Sequence, residues 1–159
     1  MSNMNEDAGG LYPLLYEPII RRALEEDLGR AGDITTDNVV PSATQARALI
    51  VARKSGRIAG LEVSLSAFRM LDADLEIRIE QGDGSDAEAG STLAVVEGAA
   101  RPILSAERTA LNMLGRLCGI ATVTAEAVAL VNSDTTRVIC TRKTTPGLRI
   151  LEKYAVRMG

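Results

Sequence analysis

Histidine and tryptophan are both absent, and the aromatic residues amount to one Phe and three Tyr. Without histidine the commonest general base is missing, and no Ser-His or Cys-His nucleophile pair can form within the chain. With aromatics at 3%, stacking platforms for single-stranded nucleic acid are almost lacking. The two cysteines, Cys118 and Cys140, have no CxxC spacing, so a zinc site lacks ligands. No apolar stretch reaches the roughly 18 residues of a membrane span. The start, Met1 to Gly10, is acidic and has no apolar centre of the kind a secretory signal carries. These absences predict a protein of the reducing cytoplasm that binds neither nucleic acid nor membrane.

What is present is enough for a core. Hydrophobic residues make up 46% of 159 and charged residues 25%, so one ordinary domain with an aliphatic, Ala-rich interior is expected. The net charge of −3 is unevenly placed. Residues 1–100 carry 9 Lys+Arg against 17 Asp+Glu, a net −8, whereas residues 101–159 carry 9 against 4, a net +5. A basic last third suits a small anionic ligand, and a solvated basic helix face accounts for it as well.

Along the chain, residues 1–10 read as a flexible tail, followed by a small α/β unit over 11–100. Ile20, Ala23, Leu24 and Leu28 share one helical face in the stretch from Pro18, and Gly29 supplies a stop. Gly32 to Thr36 is expected as a turn rich in short hydrogen-bonding side chains. A strand is predicted within Gln45 to Lys54 and a helix over Leu61 to Leu71, with strands at Leu75 to Glu80 and Thr92 to Glu97. The stretch from Gly82 to Gly98 resembles the turn-and-strand pattern of barrel-sandwich carrier modules. No Lys lies between Lys54 and Lys143 to be modified, so it reads as structural.

A composition shift near Ala99 marks the end of that unit. Connecting helices are expected over 101–136: one capped by Ser105 and ended by Gly119, another from Ala121 to Val131. Arg137 to Cys140 is a strand candidate, and a last helix is expected from about Leu148 to Arg157.

Two groups of basic residues carry possible chemistry. Arg108, Asn112 and Arg116 recur every four residues and form a polar stripe, which a solvated helix face explains equally. Arg142 and Lys143 follow a strand-like run and precede Pro146-Gly147, which places them on a strand-to-helix loop, the edge where α/β folds hold ligands. An Arg fork pairs with a carboxylate or phosphate through two parallel bonds, and Lys adds a compact charge. Thr141, Thr144 and Thr145 add hydroxyls.

Three stretches, ALEEDLGRAGDITT (Ala23 to Thr36), AERTALNMLGRLCGIAT (Ala106 to Thr122) and CTRKTTPGLRILEKYAVRMG (Cys140 to Gly159), resemble in order and spacing the signatures of the quinolinate phosphoribosyltransferase family. The resemblance covers nearly everything after the tail. It implies transfer of phosphoribose from phosphoribosyl pyrophosphate to quinolinate with loss of carbon dioxide, a step of NAD biosynthesis. It further implies Mg²⁺ as cofactor and a homodimer or higher oligomer.

By the same resemblance, Arg108 of the Glu-Arg-Thr motif serves the partner subunit's site. Thr141, Arg142 and Lys143 bind substrate, with Lys143 also catalytic, whereas Arg116 and Arg149 belong to structure. Cys140 stands where many members of the family carry Asp, and reads as a tolerated variant. The fold implied is an α+β amino-terminal domain, of α/β hammerhead or barrel-sandwich type, followed over 137–159 by the first strand-helix unit of an incomplete α/β barrel. Members of the family continue with a His-Arg pair, a Lys and metal-serving acids, none of which lies in 1–159. The expectation is therefore an amino-terminal portion that alone does not turn over substrate and whose Mg²⁺ ligands lie elsewhere. Its exposed barrel-facing apolar surface should favour association. Alternatives are a related phosphoribosyltransferase of the molybdenum-transport-associated type, or a non-enzymatic barrel-sandwich binding module.

Overall fold

The computed structural model describes residues 10–159, so the predicted tail, apart from Gly10, lies outside the described residues. The first helix, α1 (Pro13–Leu28), begins one turn earlier than its apolar face suggested. Pro13 lacks an N–H where a helix start has no use for one. The added turn buries Tyr16 beside Ile20 and Leu24. The predicted turn at Gly32 to Thr36 instead opens a short helix, α2 (Ile34–Val39). Its cap is Asp33, whose carboxylate accepts the Thr36 amide at 3.0 Å. Short polar side chains that close turns also cap helices, and the sequence signal does not separate the two.

The elements that follow are β1 (Gln45–Val51), β2 (Gly56–Arg57), α3 (Leu61–Leu71), β3 (Glu76–Ile79), β4 (Asp86–Ala87) and β5 (Thr92–Ala99). Antiparallel pairing gives a three-stranded sheet in the order β1-β5-β3 and a two-stranded pair β2-β4. The central strand, β5, buries four successive residues, Leu93 to Val96, because both its edges are paired and both its faces are covered. Helix α3 has Leu61, Val63, Leu65, Ala67 and Phe68 all buried.

The largest departure from expectation is α4 (Ala100–Val131), one helix of 32 residues where two were expected. Ser105 is not its cap; it lies inside the helix and donates its hydroxyl to Asp33 at 3.0 Å. Gly119 does not end it either. A mid-helix glycine costs about 1 kcal/mol relative to alanine, whereas Ile103, Ala106, Ala110, Leu114, Leu117 and Ala121 form a continuous buried stripe on both sides of that position. Splitting the helix would expose that stripe. Among the described residues this one helix is long and apolar enough to cross a membrane by length and composition, which corrects the expectation that no stretch reaches that length. Its buried stripe packs on this chain's own α3 and α1.

Past α4, residues 132–148 form an irregular segment, and Arg137 to Cys140 pairs with no strand. The correction has a simple cause: an apolar run becomes a strand only beside another strand, and none lies alongside. The segment leads into α5 (Arg149–Met158), which buries Leu151, Tyr154, Ala155 and Met158. Val128, Leu130, Val131, Val138 and Ile139 stay exposed on this side.

Asp83 ties the α3 end of the domain to α5. Its carboxylate accepts the amides of Gly60 and Leu61 at 2.8 and 2.9 Å, capping α3, and the Tyr154 hydroxyl at 2.6 Å. Burial first, and then this bond to a carboxylate, push the Tyr154 pKa up. Gly60 sits at φ +76, and a Cβ there would fall 2.2 Å from Leu117 Cδ1 and 3.2 Å from its Cβ. Gly60→Ala should therefore lower stability by about 2–3 kcal/mol, combining backbone strain with overpacking against α4. Urea unfolding of the variant checks this, and a midpoint equal to the parent's would contradict the close approach.

Candidate functional site

The basic loop is built by the chain between α4 and α5. Asn132 ends α4 in the left-handed conformation, at φ 38. Ser133 then folds its hydroxyl back to accept the amide of Thr136 at 3.1 Å. Thr141 does the same for the amide of Lys143, also at 3.1 Å. Thr144 accepts from Arg149 Nε at 3.1 Å. The turn Thr145 to Leu148 closes through Leu148 N to Thr145 O at 3.0 Å and delivers the chain into α5. Arg142 and Lys143 lie on the exposed crest of this loop. Among the described residues neither cationic head has an ion-pair or hydrogen-bond partner.

The polar stripe of α4 behaves otherwise. Arg108 Nη1 bonds Asp27 of α1 at 2.9 Å, although its side chain remains 74% exposed. That bond, and the charge of Asp27, raise the guanidinium pKa. Arg116 turns the other way, to Glu152 of α5 and the Thr145 hydroxyl. Asn112, between them, lines a groove bounded by Pro18 to Asp27 of α1 and by Pro146 to Leu148. The stripe is thus a seam along which α1 and α5 dock, more than a solvated face. No hydrogen bond or ion pair joins Arg108 to residues 141–143 among the described residues.

A larger concavity, of about 1000 Å³, lies elsewhere, between residues 49–58 and α4, with Leu49, Ile50, Leu111, Leu114 and Cys118 in its walls. It holds none of the expected site residues. Cys118 there accepts the Ala59 amide at 3.4 Å, and burial pushes its thiol pKa up, so it is a poor nucleophile. Cys140 is half-buried and free. Among the described residues no three His, Cys, Asp or Glu side chains converge to hold a metal. None of the described residues is assigned to Mg²⁺.

Residues 33–118 match the family model described as quinolinate phosphoribosyl transferase, N-terminal domain, and residues 120–159 match the C-terminal domain model of the same family. The chain belongs to that family. A nicotinate-nucleotide pyrophosphorylase (carboxylating) of Mycobacterium leprae is 44% identical over 144 residues, which cover 88% of this chain and 50% of that protein. A probable nicotinate-nucleotide pyrophosphorylase of Bacillus subtilis is 41% identical over 146 residues, 92% of this chain and 50% of that one. Among solved structures, NadC from Streptococcus pyogenes superposes with a TM-score of 0.91 at 36% identity, over 94% of this chain and 53% of that chain. The nicotinate-nucleotide pyrophosphorylase from Francisella tularensis gives 0.88 at 31%, over 97% and 54%. The chain thus spans about half the length of the relatives it matches, and its α+β architecture is shared with them.

Sequence reasoning overlooked Glu152. It is 8% exposed, and it accepts Arg116 Nε and the Thr145 amide, each at 3.0 Å. Its one local signal was an acid in the first turn of a helix, just after Pro-Gly. Burial alone would raise its pKa, but the Arg116 guanidinium and the Thr145 donors prevail and hold it below the ordinary 4.5. A carboxyl with a depressed folded pKa contributes stability above its unfolded pKa, and that contribution is lost as pH falls through the folded value. Glu152→Gln should therefore lose less melting temperature than the parent between roughly pH 6 and pH 3. Parallel melting curves against pH decide this, and equal losses would contradict it.

Proposed function

We propose that this chain provides part of a quinolinate phosphoribosyltransferase, making nicotinate mononucleotide, pyrophosphate and carbon dioxide from quinolinate and phosphoribosyl pyrophosphate. The observation that carries the reading is the pair of unpartnered cations, Arg142 and Lys143, on the exposed loop before α5, inside the Thr-Arg-Lys-Thr-Thr-Pro-Gly stretch of a chain that belongs to the family. Arg47, Arg57, Arg69, Arg78, Arg101, Arg108 and Arg116 have carboxylate partners, whereas Arg21, Arg22, Arg30, Arg53, Lys54, Arg137 and Lys153 share the freedom of Arg142 and Lys143 among the described residues, so the family stretch is what sets this pair apart. Two adjacent free cations on an exposed loop are available to a ligand.

Quinolinate carries two adjacent carboxylates on a pyridine ring. Arg142 can grip one through a two-bond fork, while Lys143 contributes a mobile ammonium between the second carboxylate and the incoming ribose. Holding both substrates in near-attack geometry supplies most of what such a reaction needs from a protein. The ring nitrogen donates its lone pair to the ribose carbon as the bond to pyrophosphate breaks. The nitrogen is then cationic. The carbon–carbon bond to the neighbouring carboxylate can break, releasing carbon dioxide and leaving an electron pair stabilised by the adjacent nitrogen until that carbon takes up a proton. Lys143 is the catalytic residue of this reading, and Thr141 and Arg142 are substrate-binding.

The same proposal has Arg108 entering the site of a neighbouring subunit in a homodimer. What supports this is its 74% exposure and its lack of any bond to residues 141–143. The exposed apolar residues at the end of α4 and in 138–139 suit an association surface. The finer architecture belongs here too: a hammerhead or barrel-sandwich-like unit over 11–100, connecting helices over 101–136, and the beginning of an α/β barrel over 137–159. So do a cytoplasmic location and a Mg²⁺ held by donors outside the described residues.

Titration of the full chain with quinolinate tests the reading. A hydrogen-bonded pair with a charged group is worth ~1.5–3 kcal/mol, so Arg142→Ala should weaken binding roughly 10- to 100-fold. Arg108→Ala should weaken it in the same direction, and Lys54→Ala, on an exposed turn, should not. Affinity indifferent to both arginine changes would overturn the assignment.

A further inference from the structure

The loop that presents Arg142 and Lys143 has no strand or helix of its own to hold it. Its local bonds, Thr141 to Lys143 and Thr144 to Arg149, tie it only to near neighbours in sequence. Among the described residues, the single hydrogen-bonded link from residues 133–148 to α4 runs through Thr145. The Thr145 hydroxyl takes Arg116 Nη2, and its amide donates to Glu152 Oε2 at 3.0 Å. The other oxygen of Glu152 accepts Arg116 Nε at 3.0 Å and the same Nη2. The result is a closed triangle with one corner each on α4, on α5 and on the loop.

Glu152 is also the only charged side chain among the buried described residues. Taking a carboxylate out of water is costly, and a buried ion pair is seldom more stabilising than apolar side chains of similar volume. What such a pair provides is direction. Three donors in fixed places leave the carboxylate one orientation, and the carboxylate in turn leaves the Thr145 amide one position. Thr145 is two residues from Lys143, so its placement limits the crest to the reach of two extended residues, ~7 Å at most.

We infer that Glu152 is a positioning residue: its buried carboxylate, shared between Arg116 and the Thr145 amide, determines where the loop presents Arg142 and Lys143. The inference rests on the reading of those two cations as the quinolinate-binding pair. It assigns Glu152 no contact with substrate.

The test uses the full chain with two variants. Arg116→Met combined with Glu152→Leu replaces the triangle by apolar packing, and Glu152→Gln keeps the shape while removing the charge should the double variant fail to fold. Two quantities are read: the rate of tryptic cleavage after Arg142 and Lys143, relative to cleavage after Lys54, and the affinity for quinolinate. A merely structural role predicts that a variant with parental melting temperature regains both. Positioning predicts a double variant melting within about 5 °C of the parent whose loop is nonetheless cut roughly tenfold faster and binds quinolinate roughly tenfold more weakly. An unchanged cleavage ratio in a folded variant overturns the inference. So does unchanged quinolinate affinity where Arg142→Ala in the parent weakens binding. Faster cleavage together with a parental affinity that ignores Arg142→Ala leaves the loop restraint standing and removes the quinolinate reading instead.

Discussion

The buried stripe of α4, Ile103, Ala106, Ala110, Leu114, Leu117 and Ala121, is the surface on which the other helices assemble. Helix α3 approaches it closely enough at Leu117 that only a glycine fits at position 60. Helices α1 and α5 pack on either flank, and β5 leads directly into its first turn. Because one continuous helix serves all of these contacts, the placement of the basic loop is set by a body that includes the sheet. Small side chains make this possible: alanine at three of six stripe positions lets neighbouring backbones come near without leaving voids.

Acidic side chains then join the elements that apolar packing brings together. Asp83 caps α3 and receives Tyr154 of α5, Asp33 caps α2 and receives Ser105 of α4, Asp27 holds Arg108, and Glu152 holds Arg116 and Thr145. The acidic surplus of the first hundred residues is partly consumed in this way. Arg142 and Lys143 have no acid opposite them. A small dianion is the kind of ligand that would complete this charge pattern, and the family to which the chain belongs is named for one.

Much of this was legible in the sequence because it depends on local pattern. The limits of α3 coincide with its apolar period, β1 and β5 lie where alternating and β-branched residues put them, and the exposure of Arg142 and Lys143 follows from threonines and Pro-Gly around them. The readings that failed all assumed that a local signal acts alone. Gly119 carries the signal of a helix stop, but burial on both sides of it outweighs a penalty of about 1 kcal/mol. Arg137 to Cys140 has strand-like composition, but a strand needs a neighbour. Asp33 was assigned to a turn, and it caps a helix instead.

The amino-acid order by itself determined which segments can be helix or strand, where charge accumulates and which cations stand in the Thr-Arg-Lys-Thr stretch, since each is written within a few consecutive residues. Only the tertiary structure decided that α4 is one helix, that Arg108 and Arg116 turn to different partners, and that the Glu152 carboxylate accepts the Thr145 amide. These outcomes join residues as many as 81 positions apart, as Asp27 and Arg108 are. No periodicity in the chain encodes such a pairing, because it exists only once a common core has closed around it.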